Sequence, residues 1–446
     1  MGMRRSAQVS GWGRFPRVAC RIETPRSETE LRRVLADGEA IARGGGRAYG
    51  DSAVAPGCTI DMRRFNRMIA FDPVCGRLVA EAGVILADVI DAFLPRGWFP
   101  PVTPGTKFVT LGGMVAADVH GKNHHRVGSF GRFVDWIDVM GPDGRVVRAS
   151  RSEAPDLFAW TIGGMGLTGV IVRVAFRLMR VETGWIRQRT VPARDLDAAL
   201  AAFEAAEQST YSVAWIDCLA SGAALGRSVL LLGEHARVEE LPPPGRARPF
   251  EVPGRRRLAM PIDAPSWLLS RPLVRAFNAL YWRRHAASTG ESLVDWDSYF
   301  YPLDAIEGWN RLYGRRGFLQ FQCVLPLDAS PHGLRRLLSA IAGEGAASFL
   351  AVLKRLGPAA GGISFAMPGY TLALDFPVSA RSLALLERLD AITVDHGGRF
   401  YLAKDARMTD DTLRRADPRV GAFVAMRAQT GAARRFSSVQ SQRLGL

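Results

Sequence analysis

Apolar and polar residues alternate with two different periods in residues 1–180. Apolar residues that recur at helical spacing predict amphipathic helices at residues 27–40, 85–97 and 154–162. Short apolar runs bounded by turn residues predict strands. These strands cover residues 58–62, 67–71, 77–84, 134–140, 145–150 and 170–180, and the fourth and fifth form a hairpin around Pro142-Asp143-Gly144. This part of the chain is therefore predicted to mix helices and strands.

The pattern changes after residue 180, where longer strands rich in aromatic residues alternate with long helices. Strands are predicted at residues 212–219, 318–326 and 371–378, and helices at 331–345 and 379–398. Such a series favours an antiparallel sheet covered by helices. We therefore expect an α+β fold of two domains. The first spans residues 1–180 and is completed by 400–446, and the second spans 181–399.

Two neighbouring segments of the second domain have unusual compositions. Residues 241–257 are rich in proline and arginine, so we expect no regular structure there. Residues 265–285 predict a basic amphipathic helix, in which aromatic residues such as Trp267 and Trp282 are interleaved with arginines. A helix of this kind either lies on an anionic membrane surface or packs on the protein's own core. The sequence leaves both interpretations open.

Composition narrows the class of protein further. A hydrophobic fraction of 48% indicates a folded globular chain, and a net charge of +15 favours anionic partners without identifying them. The five cysteines are scattered without metal-ligand spacing, which argues against a disulfide framework and a zinc site. The chain has neither a signal-like N-terminus nor a long apolar run. We expect a cytoplasmic protein or one peripheral at the inner membrane, with the periplasmic side still open.

Three glycine-rich segments carry the candidate chemistry. Residues 43–51, RGGGRAYGD, follow a predicted strand, and consecutive glycines let backbone N–H groups approach a diphosphate. A second segment combines PGT at 104–106, TLGG at 110–113 and HGKNHH at 120–125. The third, GGMGLTG at 163–169, contains G-x-G-x-x-G but lies between a helix and a strand in the wrong order for a Rossmann fold. A nicotinamide-binding Rossmann domain is therefore disfavoured.

Three histidines in the second segment raise the question of a metal. His120 and His124 would share an ion if they lay on one helix, with His125 beside them. The flanking glycines disfavour that helix. We therefore expect no metal, and a loop that lines an organic cofactor.

The order of these motifs resembles the FAD-binding domain of the vanillyl-alcohol-oxidase-type family. The chain is more closely similar to the flavin oxidase subunits of decaprenylphosphoryl-ribose 2′-epimerases, and this resemblance extends essentially from end to end. It includes GWGR near Trp12, YSVAWID at 211–217, YPLD at 301–304, GFLQFQ at 317–322, LKRLGP at 353–358 and LAKDAR at 402–407. HGKNHH and LAKDAR are the most specific of these signals.

The resemblance implies FAD bound without a covalent bond, in a domain of the type named PCMH. The residues that would hold it are Ala42, Arg43, Gly44, Gly45, Gly46, Arg47, Ala48, Tyr49, Gly50, Asp51, Ser52, Gly105, Thr110, Leu111, Gly112, Gly113, His120, Gly121, Lys122, Asn123, Gly169, Val170, Ile171 and Tyr401.

The resemblance also implies a sugar pocket between the two domains. Its residues would be Lys122, Gln320, Gln322, Lys354, Thr371, Ala373 and Lys404. Gln320 and Gln322 alternate on a predicted strand, so both amides point to one face, where they can bind sugar hydroxyls. Lys404 is the first candidate for the catalytic residue, either as base or as a cation beside the reduced flavin. His120 and Tyr49 are its rivals for the proton.

The function implied is removal of a hydride from C2′ of a polyprenylphosphoryl-β-D-ribose, which gives a 2′-keto intermediate on the way to arabinose. The expected partners are a polyprenyl-phosphate sugar, an NADH-dependent short-chain reductase and a membrane surface, but no nucleic acid. A soluble FAD-dependent alditol or sugar-lactone oxidase is the alternative. The chain departs from the family at Ala373, Thr371 and Val213, where cysteine, asparagine and serine are expected, so the exact sugar and carrier stay open.

Overall fold

The computed structural model describes residues 5–255, 258–287, 290–346, 348 and 350–446. Its helices are α1 Glu28–Ala36, α2 Leu86–Phe93, α3 Leu111–Ala116, α4 His124–Val127, α5 Pro155–Thr161, α6 Leu196–Ala205, α7 Pro243–Ala247, α8 Arg271–Ala287, α9 Trp296–Phe300, α10 Ser330–Glu344, α11 Ala380–Asp395, α12 Asp410–Ala416, α13 Val420–Gln429 and α14 Val439–Arg443.

The strands are β1 Arg5–Val9, β2 Val18–Glu23, β3 Ile41–Arg43, β4 Thr59–Asp61, β5 Met68–Asp72, β6 Arg77–Glu81, β7 Trp98–Phe99, β8 Val134–Met140, β9 Val146–Ser150, β10 Val170–Arg177, β11 Met179–Arg180, β12 Trp185–Ala193, β13 Tyr211–Ile216, β14 Ser228–His235, β15 Leu258–Ala259, β16 Gly290–Asp295, β17 Ile306–Glu307, β18 Phe318–Pro326, β19 Ala351–Leu356, β20 Gly369–Pro377 and β21 Arg399–Phe400.

Two sheets form the first part of the fold. One has the strand order β1-β2-β4-β3, and the other is antiparallel with the order β5-β6-β10-β8-β9. The predicted hairpin is β8 and β9, paired from Trp136 to Met140 around the expected turn. Helices α2 and α3 cover the second sheet, and their apolar residues share a buried core with it. The first glycine loop follows the edge strand β3, and the third precedes β10, the central strand of the second sheet.

A single eight-stranded sheet dominates the second part of the fold. Its strand order is β16-β12-β14-β13-β19-β20-β18-β21, and all its pairings are antiparallel. Helices α6, α10 and α11 bury their apolar residues against alternate side chains such as Ala214, Leu353 and Leu374. The predicted α+β class, with an antiparallel sheet covered by helices, is confirmed. The intervening side chains of the central strands point to the other face.

The chain returns to the first two sheets after β21. The backbone N–H of Tyr49 donates to the Ala403 carbonyl at 2.8 Å, and Ala40 forms a bridge with Phe436. Arg443 on α14 donates to both Asp51 and Asp405, at 2.8 and 2.9 Å. These contacts fasten the C-terminal segment to the first glycine loop.

The region around α8 departs from the sequence expectations. The predicted helix at 265–285 is two pieces, a 3₁₀ turn at Ser266–Leu269 and then α8. The side chain of Trp267, one of the aromatic residues expected on this helix, lies outside what the structure describes. The expectation that 241–257 lacks regular structure was wrong, because Pro243–Ala247 forms one helical turn in which prolines occupy first-turn positions that need no N–H donor. Residues 256–257 of that segment are also outside the described chain.

Within the described ranges, none of the helices has the length and apolar character needed to cross a bilayer.

Candidate active site

One cavity of about 430 Å³ lies between the glycine-rich loops and the open face of the eight-stranded sheet. Its volume is within the range typical of sites that hold a cofactor or small molecule. All three glycine segments reach it, through residues such as Gly45, Gly113 and Gly169. The sheet contributes Gln320, Gln322, Lys354 and Ala373, and the returning C-terminal segment contributes Tyr401 and Lys404. The fold thus joins residues from across the whole chain in one site.

Close backbone packing explains the glycines of the first two segments. Thr110 caps α3 by accepting from the backbone N–H of Gly113. A Cβ atom at Gly44 would lie 2.0 Å from the Thr110 Oγ1, and one at Gly112 would lie 2.9 Å from the Ala82 Cβ. A side chain at either position would displace its neighbour. The two loops therefore meet only because these residues are glycine.

Unpartnered polar atoms at the cavity indicate that it is built for a polar ligand. Arg47 stacks over Trp12 at 4.1 Å, yet its Nε is buried and has no hydrogen-bond partner among the described residues. The Thr103 Oγ1, also at the cavity, is likewise buried without a hydrogen-bond partner among the described residues. Buried polar atoms normally have partners. Together with the glycine-lined wall, these atoms fit a group that carries phosphates and hydroxyls, as FAD does.

Sheet register places the predicted sugar-binding residues on one face. A row of directly paired residues runs across the sheet from Trp215 through Val352 and Ala373 to Gln322, and all four line the cavity. Lys354 pairs with Thr371 in the adjacent row. Thr371 accepts from the Gln322 Nε2 at 3.2 Å, and does not itself line the cavity. The row changes from apolar to polar along its length.

His120 is held at the polar end of this face. Its Nε2 lies 3.0 Å from the Gln322 amide nitrogen, and its Nδ1 lies 3.4 Å from the Lys354 Nζ. The ring also packs against Tyr401 and Phe365. Burial lowers the pKa of His120 well below its usual value, and the charge of Lys354 adds to this effect. His120 is therefore a neutral imidazole near pH 7.

Three lysines at the cavity have lowered pKa values, and two of them, Lys122 and Lys354, lie near His120. Burial, and secondarily Lys354, lowers the pKa of Lys122 to about 7. Lys122 donates to the Tyr299 carbonyl, and its Nζ lies 4.1 Å from the centre of the Tyr299 ring. Burial lowers the pKa of Lys354 to about 8. Both ammonium groups lack an ion-pair partner within the described parts of the chain, so an anionic ligand would stabilise their charged forms.

Lys404 and Tyr49 form a second cluster of polar side chains at the cavity, in addition to the one around His120. The Lys404 Nζ lies 3.6 Å from the centre of the Tyr49 ring. Burial lowers the pKa of Lys404, and the opposing influence comes from Asp375. Burial also raises the pKa of Tyr49 well above its usual value, so Tyr49 keeps its proton and can only donate it in a hydrogen bond. Of the three candidates for the residue that accepts the proton, Tyr49 is thus the least suitable, because its side chain is already protonated.

The three histidines of HGKNHH point to different partners. His124 accepts from the backbone N–H of Gly357 at 2.9 Å, and the His125 Nε2 bonds to the Ser209 carbonyl at 2.9 Å. His124 and His125 start the single turn of α4, so the flanking glycines did not prevent a helix there. Residues 5–255, 258–287, 290–346, 348 and 350–446 contain no group of three or more acidic, histidine or cysteine side chains arranged for a metal.

The far end of the cavity is apolar. Val213, Trp215, Leu231 and Val352 form its wall on the sheet, and Tyr281 of α8 lies opposite. The rings of Trp215 and Tyr281 are 4.6 Å apart. Helix α8 is fixed to the sheet by Asn278, whose Nδ2 donates to the buried Asp217 at 2.7 Å. A ligand that crosses the cavity would therefore meet the glycine-lined surface, the amide and lysine side chains, and the apolar wall.

Most of the residues predicted from sequence line this cavity, but several lie behind its wall. Asp51 pairs with Arg443, Asn123 donates to the Pro101 carbonyl, and Gly50 packs against Asp405. The others behind the wall are Arg43, Leu111, Gly121, Val170 and Thr371.

The sequence prediction also omitted residues that line or support the cavity. They include Thr103, Met165, Trp215, Tyr281 and the buried Asp375. Asp375 was detectable as the only charged residue in an apolar strand, whereas the meeting of Trp215 and Tyr281 depends on the tertiary fold.

Comparisons with known proteins agree with this geometry. Residues 21–150 match the FAD binding domain family. The chain is 34% identical over 451 residues to decaprenylphosphoryl-β-D-ribose oxidase of Mycolicibacterium smegmatis, covering 98% of this chain and 97% of that protein. It is 29% identical over 164 residues to L-gulonolactone oxidase of Mus musculus, but that match covers only 34% of this chain and 36% of the oxidase. The similarity to the lactone oxidase is thus confined to about a third of each chain.

Proposed function

The chain belongs to the decaprenylphosphoryl-β-D-ribose oxidase family of FAD-dependent oxidoreductases, and from this we propose that it oxidises C2′ of a polyprenylphosphoryl-β-D-ribose-like sugar. The product is the 2′-keto sugar, an intermediate in epimerisation to arabinose. One observation carries the proposal. A single cavity runs from the glycine loops, past amides and lysines, to an apolar wall under α8. A phosphodiester-linked sugar with a long apolar tail presents groups of the same kinds.

FAD supplies the hydride acceptor when bound. We propose that Ala42, residues 44–49, Ser52, Thr110, Gly112, Gly113 and Gly169 hold it without a covalent bond, while Arg43, Gly50 and Asp51 support this loop from behind. The described lining includes no cysteine, and the ring nitrogens of its histidine, His120, are already within hydrogen-bonding distance of Gln322 and Lys354. The proposed domains are residues 1–180 with 400–446 for the cofactor, and 181–399 for the substrate.

At the sugar, Gln320 and Gln322 bind hydroxyls, and Lys122 and Lys354 bind the phosphodiester. Lys404 is the first candidate for the residue that handles the proton or offsets the negative charge left on the cofactor, and His120 is its rival. His120 is neutral and has a lone pair, but its lowered pKa makes it a weak base, which favours Lys404. Tyr49 retains its proton and orients Lys404 through the face of its ring.

The apolar end of the cavity suggests where the carrier enters. Leu273 and Leu280 on α8 are 43% and 68% exposed, and Arg275, Arg283 and Arg284 lie on the same helix. We propose that this surface touches an anionic membrane and receives the polyprenyl chain there. Liposome flotation tests it, because L273S/L280S should release the protein from anionic vesicles. The matched exposed pair L327S/V147S, elsewhere on the surface, should not, and equal release by both pairs would contradict the proposal.

The keto product requires a second enzyme. We propose an NADH-dependent short-chain reductase that returns a hydride from the opposite face of the sugar. Because the carrier is a lipid, both enzymes would work at the periphery of the inner membrane, on its cytoplasmic or periplasmic side.

An absorbance spectrum of the purified protein tests the central proposal. Bands of oxidised flavin should bleach when a polyprenylphosphoryl-ribose analogue is added without oxygen, and free sugars and lactones should leave them unchanged. Bleaching by free alditols or lactones alone would indicate the soluble oxidase instead. A protein with no flavin bands would contradict both.

A further inference from the structure

Asp375 is a buried carboxylate to which the proposed reaction gives no part. Its side chain has no exposed surface, and it lies on β20 among apolar residues. Within the described residues it forms no ion pair, and its polar neighbours are the Gln320 amide and the Tyr313 hydroxyl. An ionised carboxylate is costly to bury in this condition. Its position next to the cavity suggests that it acts on a neighbouring group.

That neighbour is Gln320, which is the direct partner of Asp375 across the sheet. The Gln320 Nε2 donates to the Asp375 Oδ1 at 2.5 Å. Since an ionised carboxylate can only accept hydrogen bonds, it holds the NH₂ group of the amide on its own side. The carbonyl oxygen of Gln320 then faces the cavity, which Gln320 lines beside the Tyr49 hydroxyl. Gln320 would accept a hydrogen bond from a sugar hydroxyl.

Three titratable groups from other elements face Asp375. They are Lys404 after β21, Tyr49 in the first glycine loop and Tyr313 in the turn before β18. Burial raises the pKa of both tyrosines, so they remain neutral. Burial also raises the pKa of Asp375, and Lys404 opposes that shift. Lys404 and Asp375 thus each favour the charged form of the other, against the effect of burial.

We propose that Asp375 is a positioning residue for the sugar end of the cavity. Its carboxylate fixes the Gln320 amide with the carbonyl oxygen toward the substrate, and it places a negative charge behind Lys404. This inference rests on the proposed function, because it takes the substrate to be a sugar on a polyprenyl phosphate.

Binding to two ligands separates the inference from the proposed function. Calorimetry would compare a polyprenylphosphoryl-ribose analogue with polyprenyl phosphate alone, using the FAD-loaded wild type and Asp375→Asn. The wild type should bind the ribosyl ligand more tightly, and the variant should lose about tenfold in that affinity, as for one hydrogen bond to a well-oriented group. Its affinity for polyprenyl phosphate should not change. A wild type without preference would refute the proposed function, and a variant with unchanged preference would refute only the role of Asp375.

A double-mutant cycle tests whether Asp375 acts through Gln320. D375N/Q320L should lose no more affinity for the ribosyl ligand than Q320L alone, because both changes remove the same contact. Additive losses would overturn the proposal. FAD content and the unfolding midpoint check that each variant folds. Asp390→Asn, a buried aspartate on α11 paired with Arg407, is the matched control and should keep the wild-type ratio of affinities.

The pH profile of kcat tests whether the Asp375 carboxylate stabilises the charged form of Lys404. Without the carboxylate, the ammonium form of Lys404 loses its stabilising partner, so the limb governed by Lys404 should move to lower pH by about one unit. The direction is the same whether Lys404 acts as a base or as a cation. D390N should leave that limb in place. A D375N profile that overlays the wild type would contradict the electrostatic part of the proposal.

Discussion

At the residue scale, Lys122 and Lys354 are buried at the cavity without a negatively charged partner among the described residues. Lys122 bonds to a carbonyl and Lys354 reaches a neutral imidazole, and neither contact supplies a negative charge. Burial of such an ammonium favours its neutral form unless an anion is bound. The two side chains should therefore be selective for an anionic ligand and sensitive to pH.

Affinity for the ribosyl phosphodiester ligand should fall as pH rises, because its phosphate keeps one negative charge throughout this range, unlike a phosphomonoester. Lys122 and Lys354 have pKa values of about 7 and about 8, so both are charged below this window and lose their protons above it. Calorimetry should show the tightest binding at about pH 6 and, by about pH 9, a loss of about tenfold for each of the two charge contacts. Polyprenol, which has no phosphate, should show no such trend. In K354M the ribosyl ligand should bind weakly at every pH, with a flatter profile.

Sequence spacing predicted some residue positions but not their partners. The alternation of Gln320 and Gln322 placed both amides on one face, which β18 confirms. Lys122 and Tyr299 are 177 positions apart, so no local pattern could have indicated their contact. Partners of this kind follow only from the packing of the two parts of the fold.

Among the elements, the first glycine loop and α3 depend on each other. Gly44→Ala should push the Thr110 side chain out of its capping position, since the new Cβ would lie 2.0 Å from Oγ1. Loss of the cap costs about 1 kcal/mol and distorts the cofactor side of the cavity. The ratio of flavin to protein absorbance should fall several-fold. Gly421→Ala on α13, where no atom lies within 4 Å of the new Cβ, should keep full flavin content.

Helix α8 depends on the Asn278–Asp217 hydrogen bond. Asn278→Leu removes the donor and leaves part of a buried carboxylate unsatisfied, at a cost of about 1–3 kcal/mol. Hydrogen exchange should accelerate in α8 while β13 and β14 stay protected, and KM for the polyprenyl substrate should rise more than kcat falls. Ala276→Ser on the same helix is the control. Faster exchange throughout the sheet would instead indicate general destabilisation.

Local patterns predicted elements better than their arrangement. The β8–β9 hairpin followed from a turn between two alternating strands, and α10 and α11 followed from their apolar spacing. The order of the large sheet did not follow, because β13 lies between β14 and β19, which are separated in sequence by more than a hundred residues. The break before α8 was not predicted either, although Pro272 indicated it, because proline fits the first turn of a helix and not its interior.

At the scale of the whole molecule, Arg443 joins the first glycine loop to the segment after β21, through Asp51 and Asp405. Arg443→Met would leave Asp51 and Asp405 buried without their cation, which should lower the free energy of unfolding by about 3–5 kcal/mol. Chemical denaturation should show this loss, with weaker flavin retention. R414M on α12, whose partner Asp410 is half exposed, should change stability by less than about 1 kcal/mol. Equal losses of stability in R443M and R414M would contradict this role of Arg443.

The return of the chain after β21 also governs when the enzyme can form. Tyr401 and Lys404 complete the cavity, and Arg443 on α14 holds the first glycine loop, so these contributions are synthesised well after the two early sheets. On the ribosome the early sheets can fold first, but the flavin has no closed site until residues 401–443 have been made. A nonsense mutation just before residue 401 would therefore give a protein that contains all three glycine segments and is colourless.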